Sequence, residues 1–197
     1  GAGSAGIAAA REAANKKLDV ILVEQDSILG GDQVGEKLFD TDLIYDELAS
    51  LGIRIMRRTT AFGLYDNCVL GLLEKVTDHV PYGSKFLPRQ RFWTIRAQYV
   101  IIGSGSLERH IAFNNNDVPG VMTVNASKHY LNRYGVLTGQ NIVIVTNNDS
   151  VYATGELLSS AGANITILDV REGNNSELNE DLKPKNVQIR FGKVPYN

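Results

Sequence analysis

The sequence is poor in the residues that announce most special chemistries. A single cysteine, Cys68, stands among 197 residues. This excludes an internal disulfide framework and a cysteine-built metal site, and it fits a reducing, cytoplasmic setting. Three histidines, His79, His110 and His129, show no metal-ligand spacing and read as surface or packing residues. Long apolar runs are lacking too: Ile7 to Ala10 is too short for a membrane span or for the apolar part of a signal peptide. No charge of one sign dominates, since 20 basic and 22 acidic residues leave a formal charge of −2. Pairs such as Arg57-Arg58 read as solvated, and neither nucleic acid nor a membrane surface is expected as a partner. With no P-loop and no nucleophile elbow, no catalytic side chain is assigned; redox chemistry here would belong to a cofactor.

What is present is enough for one sizeable core or two small ones, at 43% hydrophobic and 21% charged residues. The chain opens on GAGSAG, Gly1 to Gly6, with the spacing of a dinucleotide-binding turn. Gly1 would make the tight turn, Gly3 would admit a pyrophosphate close to the backbone, and Gly6 would let helix and strand pack closely. The Ala-rich segment from Ser4 to Lys17 reads as a helix whose N-terminus faces that ligand. LDVILVEQ then reads as a buried parallel strand ending in Glu24, about twenty residues past the turn, where an acid accepts hydrogen bonds from an adenosine ribose. A carboxylate there repels a 2′-phosphate, so NAD or FAD is favoured over NADP. Gly30-Gly31 adds a stretch where backbone can approach a cofactor, or an ordinary loop. Small residues also pack helices against strands without any ligand, so a turn that has ceased to bind is the competing reading.

TDLIYDELASLGI has helical spacing and a glycine stop at Gly52. The runs IRIMRRTTAFGLYDN, YDNCVLGLLEKV and RQRFWTIRAQYVII, with a turn at Asp66-Asn67, read as a small antiparallel meander. AQYVIIGSGS reads as another buried strand running into Gly103-Ser104-Gly105, which would line the cofactor site or form a simple turn. A second unit is expected from Asp117, so the division is 1–116 and 117–197. It alternates helix TVNASKHYLNRYG, strand QNIVIV, helix SVYATGELLSSAG, strand NITILDV and strand NVQIRFG. Its strand-to-helix turn, TNNDSVY, contains no glycine. This unit is therefore expected to be Rossmann-like without binding a dinucleotide in the usual way, despite Asp169 at the end of its second strand.

GAGSAG, VEQDSILGG, IIGSG and above all LERHIAFNNNDVPGVMTVNASKHYLNRYGVLTGQNIVIVTNNDSVYATGELLSSAGA resemble the alpha subunits of heterotetrameric sarcosine oxidases. They are similar, more distantly, to related subunits of opine oxidases and hydrogen cyanide synthase. The resemblance implies two Rossmann-like units of the two-dinucleotide-binding, glutathione reductase-like α/β type, both incomplete here. It also implies oxidative demethylation of sarcosine to glycine with hydrogen peroxide and methylenetetrahydrofolate. NAD would lie on this chain, FAD and FMN on the beta subunit, and gamma and delta subunits would complete the assembly. Carried over, the cofactor contacts are Gly1, Gly3, Gly6, Glu24 and Gly31, with Gly103, Ser104 and Gly105 alongside, and Ser4 and Gly30 complete the candidate site. Ser4 stands where such proteins commonly have proline, and Gly103-Ser104-Gly105 replaces their Ala-Thr-Gly. The resemblance further places an apolar strand before Gly1, so the chain is expected to be a fragment lacking its first strand. On its own it is expected to bind NAD poorly or to self-associate through an exposed sheet edge.

Overall fold

The computed structural model describes residues 1–36, 39–83, 85–172 and 186–194. The chain divides into two units, Gly1–Ser106 and Leu107–Asn197. This division falls before the expected Asn116/Asp117 boundary, and the reason is local. The Glu108 carboxylate accepts the Asn125 N–H at 2.7 Å, near the start of the next helix, and so fastens the connecting segment to the second unit.

In the first unit, helix α1 (Ser4–Asn15) begins at the glycine turn and buries Gly6, Ile7 and Ala10. Strand β1 (Ile21–Val23) follows, then helix α2 (Thr41–Ser50) and strand β2 (Arg54–Met56), which lies parallel to β1. Ile7, Ala10 and Leu22 pack with Leu29, Leu48 and Ile53 into one core. Asp40 starts α2 by accepting the N–H groups of Asp42 and Leu43 at 3.0 and 3.1 Å. Gly52, with φ +78°, follows its end, as expected. The strand expected over LDVILVEQ is confined to three residues, and Ile21 keeps 38% of its surface exposed. Among the described residues β1 has one neighbour, β2, so its other edge is not covered by a ladder.

The meander is present as β3 (Thr59–Tyr65), β4 (Val69–Lys75) and β5 (Gln90–Arg96), antiparallel in that order. The run IRIMRRTTAFGLYDN is broken into two strands at Arg58, whose φ is +54°. The turn at Asp66-Asn67 is a single 3-10 turn with Asn67 at φ +58°. AQYVIIGSGS departs from expectation: it forms no strand, and Ile101 and Ile102 are 69% and 73% exposed. A strand needs a hydrogen-bonded neighbour, and no described strand pairs with these residues.

The second unit contains α3 (Val124–Tyr134), β6 (Asn141–Thr146), α4 (Tyr152–Ser160), β7 (Asn164–Asp169) and β8 (Val187–Phe191). The sheet is parallel, in the order β6-β7-β8. Thr123 caps α3 and Gly135 ends it in the left-handed region. Ile144, Ile165 and Ile167 form the core with Val151 and Leu158. Helix α4 comes close to the sheet at Gly155, where a Cβ would stand 3.1 Å from the Ile167 Cδ1. Most of the polar loop expected before β8 lies outside the described residues.

Replacing Asp40 with Ala removes the side-chain N-cap of α2. Denaturant unfolding is expected to show a loss of about 1 kcal/mol in the first unit.

Candidate functional site

The sequence-predicted residues of the first unit converge on the start of α1. Gly3 is the N-cap, with φ −76° and ψ −176°, and no side chain bonds the first turn there, so its N–H groups remain available. The three glycines of the turn are small for different reasons. A Cβ on Gly6 would stand 1.8 Å from the Gly1 carbonyl oxygen, and only then 3.9 Å from Leu22 Cδ1. Gly6 therefore yields to the turn's own backbone before it yields to the strand expected to press on it. A Cβ on Gly1 would meet the Gly103 carbonyl oxygen at 2.5 Å, and one on Gly103 would lie 3.3 Å from Gly6. Gly1, Gly6 and Gly103 thus interlock.

Gly3 differs from these: nothing lies within 4 Å of where its Cβ would be. Its backbone faces open space at the end of a helix that points positive charge outward. Gly30 pairs with Gly3 in an isolated parallel bridge and donates its N–H to the Ala2 carbonyl at 2.8 Å. Gly31, at φ +56°, would bring a Cβ to 3.3 Å from Gly3 Cα. Gly30-Gly31 accordingly forms one wall of the turn; the close approach observed is to the backbone of Gly3, whereas the sequence suggested one to a cofactor. Ser4 and Ser104 are exposed beside the turn, and Gly105 has a positive φ of +73° with open space around it.

Glu24 fastens this arrangement together. It is 8% exposed, and its Oε2 accepts the Ala2 N–H at 2.6 Å while Oε1 accepts the Asp26 N–H at 2.8 Å. Its own backbone extends the ladder, donating to the Met56 carbonyl at 2.9 Å and accepting from the Thr59 N–H at 2.8 Å. Each carboxylate oxygen can accept twice, so Glu24 retains capacity for the hydroxyls of a ribose. Sequence reasoning found Glu24 but missed Ala2, whose side chain carries no chemical signal; its contribution is a backbone N–H.

The corresponding place in the second unit is arranged differently. Asp169, wholly buried, accepts the Tyr152 hydroxyl at 2.7 Å and is bound by the Arg171 guanidinium at 2.6 to 3.2 Å. Arg171 also reaches Asp149, in the turn before α4, at 2.6 Å. The Arg171 hydrogen bonds hold the Asp169 carboxyl at about 2, well below the usual carboxylate range. Burial, followed by the bond to Asp169, raises the Tyr152 phenol to about 12. The acid at this strand end is therefore committed to its own chain, and Asp149 adds negative charge where a diphosphate would come. The pair Asp169-x-Arg171 was the overlooked signal, because a guanidinium two residues past a strand-end acid can fold back onto it. The histidines join no metal cluster among the described residues.

Comparison with known proteins places the chain in a family. The model of the pyridine nucleotide-disulphide oxidoreductase family matches residues 1–195. The chain belongs to that oxidoreductase family. It is 39% identical over 182 residues to sarcosine oxidase subunit alpha of Rhizobium meliloti, covering 87% of this chain and 18% of that one. The chain thus spans about a fifth of the length of the curated relatives it matches. The resemblance to sarcosine oxidase alpha subunits seen in the sequence is therefore borne out, and so is the two-unit α/β fold. The L-proline dehydrogenase of P. horikoshii is 25% identical, with a TM-score of 0.64 over 88% of this chain and 36% of that one. The water-forming NADH oxidase of Lactobacillus brevis, in a structure bound to NADH, shares the fold at 16% identity, with a TM-score of 0.61 over 99% of this chain and 45% of that one. With one cysteine, these 197 residues cannot form a redox disulfide of their own.

Two outcomes follow for the second unit. Because the folded carboxyl of Asp169 titrates below its unfolded value, its contribution is present above about pH 4 and lost as pH falls towards 2. Asp169→Asn should remove about 2 kcal/mol at neutral pH and flatten the acid limb of a stability-against-pH curve measured by urea unfolding.

Proposed function

We propose that the first unit binds the adenosine diphosphate portion of a dinucleotide, NAD in preference to FAD, as part of a larger amine oxidoreductase. The observation that carries this reading is Gly3: an N-cap with open space where its Cβ would lie, at the start of a helix, walled by Gly30 and Gly31 and tied through Ala2 to a buried Glu24. A pyrophosphate fits where a Cβ would otherwise stand, and its charge is favoured by the helix N-terminus. Glu24 would accept the ribose hydroxyls, and its negative charge opposes a 2′-phosphate. A bound nicotinamide dinucleotide would supply hydride acceptance, while this chain supplies position and electrostatics.

The similarity to sarcosine oxidase alpha subunits supports placing the reaction at a secondary amine, with sarcosine oxidised to glycine and the one-carbon unit passed to folate. On this reading beta, gamma and delta subunits complete the enzyme, FAD and FMN reside on the beta chain, and the assembly works in the cytoplasm. No helix among the described residues is long and apolar enough to cross a membrane. Residues 98–102 would gain a ladder from a strand lying beside them, supplied within a longer chain or by another molecule. The 197 residues alone would then hold NAD weakly. A second reading, a scaffold that keeps the fold without the ligand, is favoured by the burial of Glu24, both of whose carboxylate oxygens already accept backbone N–H groups of its own chain.

Gly3→Ala distinguishes the two. Its φ and its open surroundings accommodate a methyl group, so thermal stability should be unchanged. Calorimetric titration of NAD into the full-length chain should nevertheless show at least about a tenfold weaker affinity, because the methyl occupies the pyrophosphate's place. Equal affinities would favour the scaffold.

A further inference from the structure

Arg57 and Arg58 read from the sequence as a solvated pair, but the structure separates them. Both lie in the short link from β2 to β3, beside the end of β1 that carries Glu24. The Arg57 guanidinium is placed over the Tyr45 ring of α2, 4.6 Å from its centroid. Arg58 is partly buried, and among the described residues its guanidinium has no hydrogen bond, ion pair or ring partner. Its backbone, by contrast, is held on both sides: the N–H donates to the Asp26 carbonyl at 2.8 Å, and the carbonyl accepts the Lys75 N–H at 2.9 Å. The same link clasps Glu24, since Met56 accepts the Glu24 N–H at 2.9 Å and Thr59 donates to the Glu24 carbonyl at 2.8 Å.

At Arg58 this link turns through φ +54°. Such a backbone is strained for a residue with a Cβ and free of strain for glycine. Folding alone would be served better by glycine here, so the long cation without a partner in its own chain calls for a ligand, and strained positions of this kind collect at binding sites. Parallel strands present ligands at their carboxyl ends, which is where Glu24 and Arg58 come together. With Glu24 taking the ribose and opposing a 2′-phosphate, the next group of the dinucleotide is the adenine, whose flat face suits a planar guanidinium.

We infer that Arg58 stacks on the adenine of the bound dinucleotide and so fixes the adenosine end of the site. The inference rests on the dinucleotide reading.

The test is calorimetric titration of NAD, and separately of NADP, into the full-length chain as wild type, Arg58→Gly and Arg58→Lys. Arg58→Gly removes the guanidinium and relieves the backbone, so the melting temperature should hold or rise while NAD binds about tenfold more weakly. Arg58→Lys keeps the charge without the plane and should not restore the affinity. Wild-type affinity for NAD in Arg58→Gly, or its full recovery in Arg58→Lys, would overturn the inference and leave the dinucleotide reading standing. NADP bound as tightly as NAD, and lost in Arg58→Gly, would put the guanidinium on a 2′-phosphate and overturn the inference as well. A wild-type chain that binds no NAD would overturn the dinucleotide reading itself, and this inference with it.

Discussion

The first unit depends on one buried carboxylate. Glu24 sits at the end of a three-residue strand and gives the glycine turn its polar connection to that strand. By accepting the Ala2 and Asp26 N–H groups it satisfies two backbone donors and sets the turn against β1. The interlock of Gly1, Gly6 and Gly103 then leaves no room for side chains, and Gly3 is the glycine of the turn with open space where a Cβ would lie. A charge this deeply buried is stable because it is hydrogen-bonded, and each of its oxygens can accept again.

The second unit has the same alternation of strand and helix but spends its strand-end acid differently. Arg171 neutralises Asp169 and extends to Asp149, while the Tyr152 hydroxyl fills a further position on the carboxylate. One unit therefore offers an acid with spare acceptor capacity beside an open helix end, and the other a closed ion network. This contrast accounts for a single proposed dinucleotide position in a chain with two Rossmann-like units.

Much of the fold was legible because its signals are local. Thr123 and Gly135 bracket α3, Asp40 and Gly52 bracket α2, and alternation marks the meander strands. The glycine spacing and Glu24 led to residues that do meet in space. Illegible features were those set by neighbours. Residues 98–102 are as apolar as a buried strand, but strand formation requires a partner that apolar composition does not supply. The break at Arg58 needs a positive φ in a non-glycine residue, which nothing in its sequence context signals. The earlier boundary between the units rests on Glu108 reaching Asn125, a contact without periodicity.

The central claim is that a dinucleotide lies on the first turn and not on the second. Hydrogen–deuterium exchange of the full-length chain, with and without saturating NAD and then FAD, tests this most directly. The account predicts slowed exchange at residues 2–7 and 24–31 with NAD, and no change at residues 147–152. Protection at 147–152, or none at the glycine turn with either dinucleotide, would contradict it.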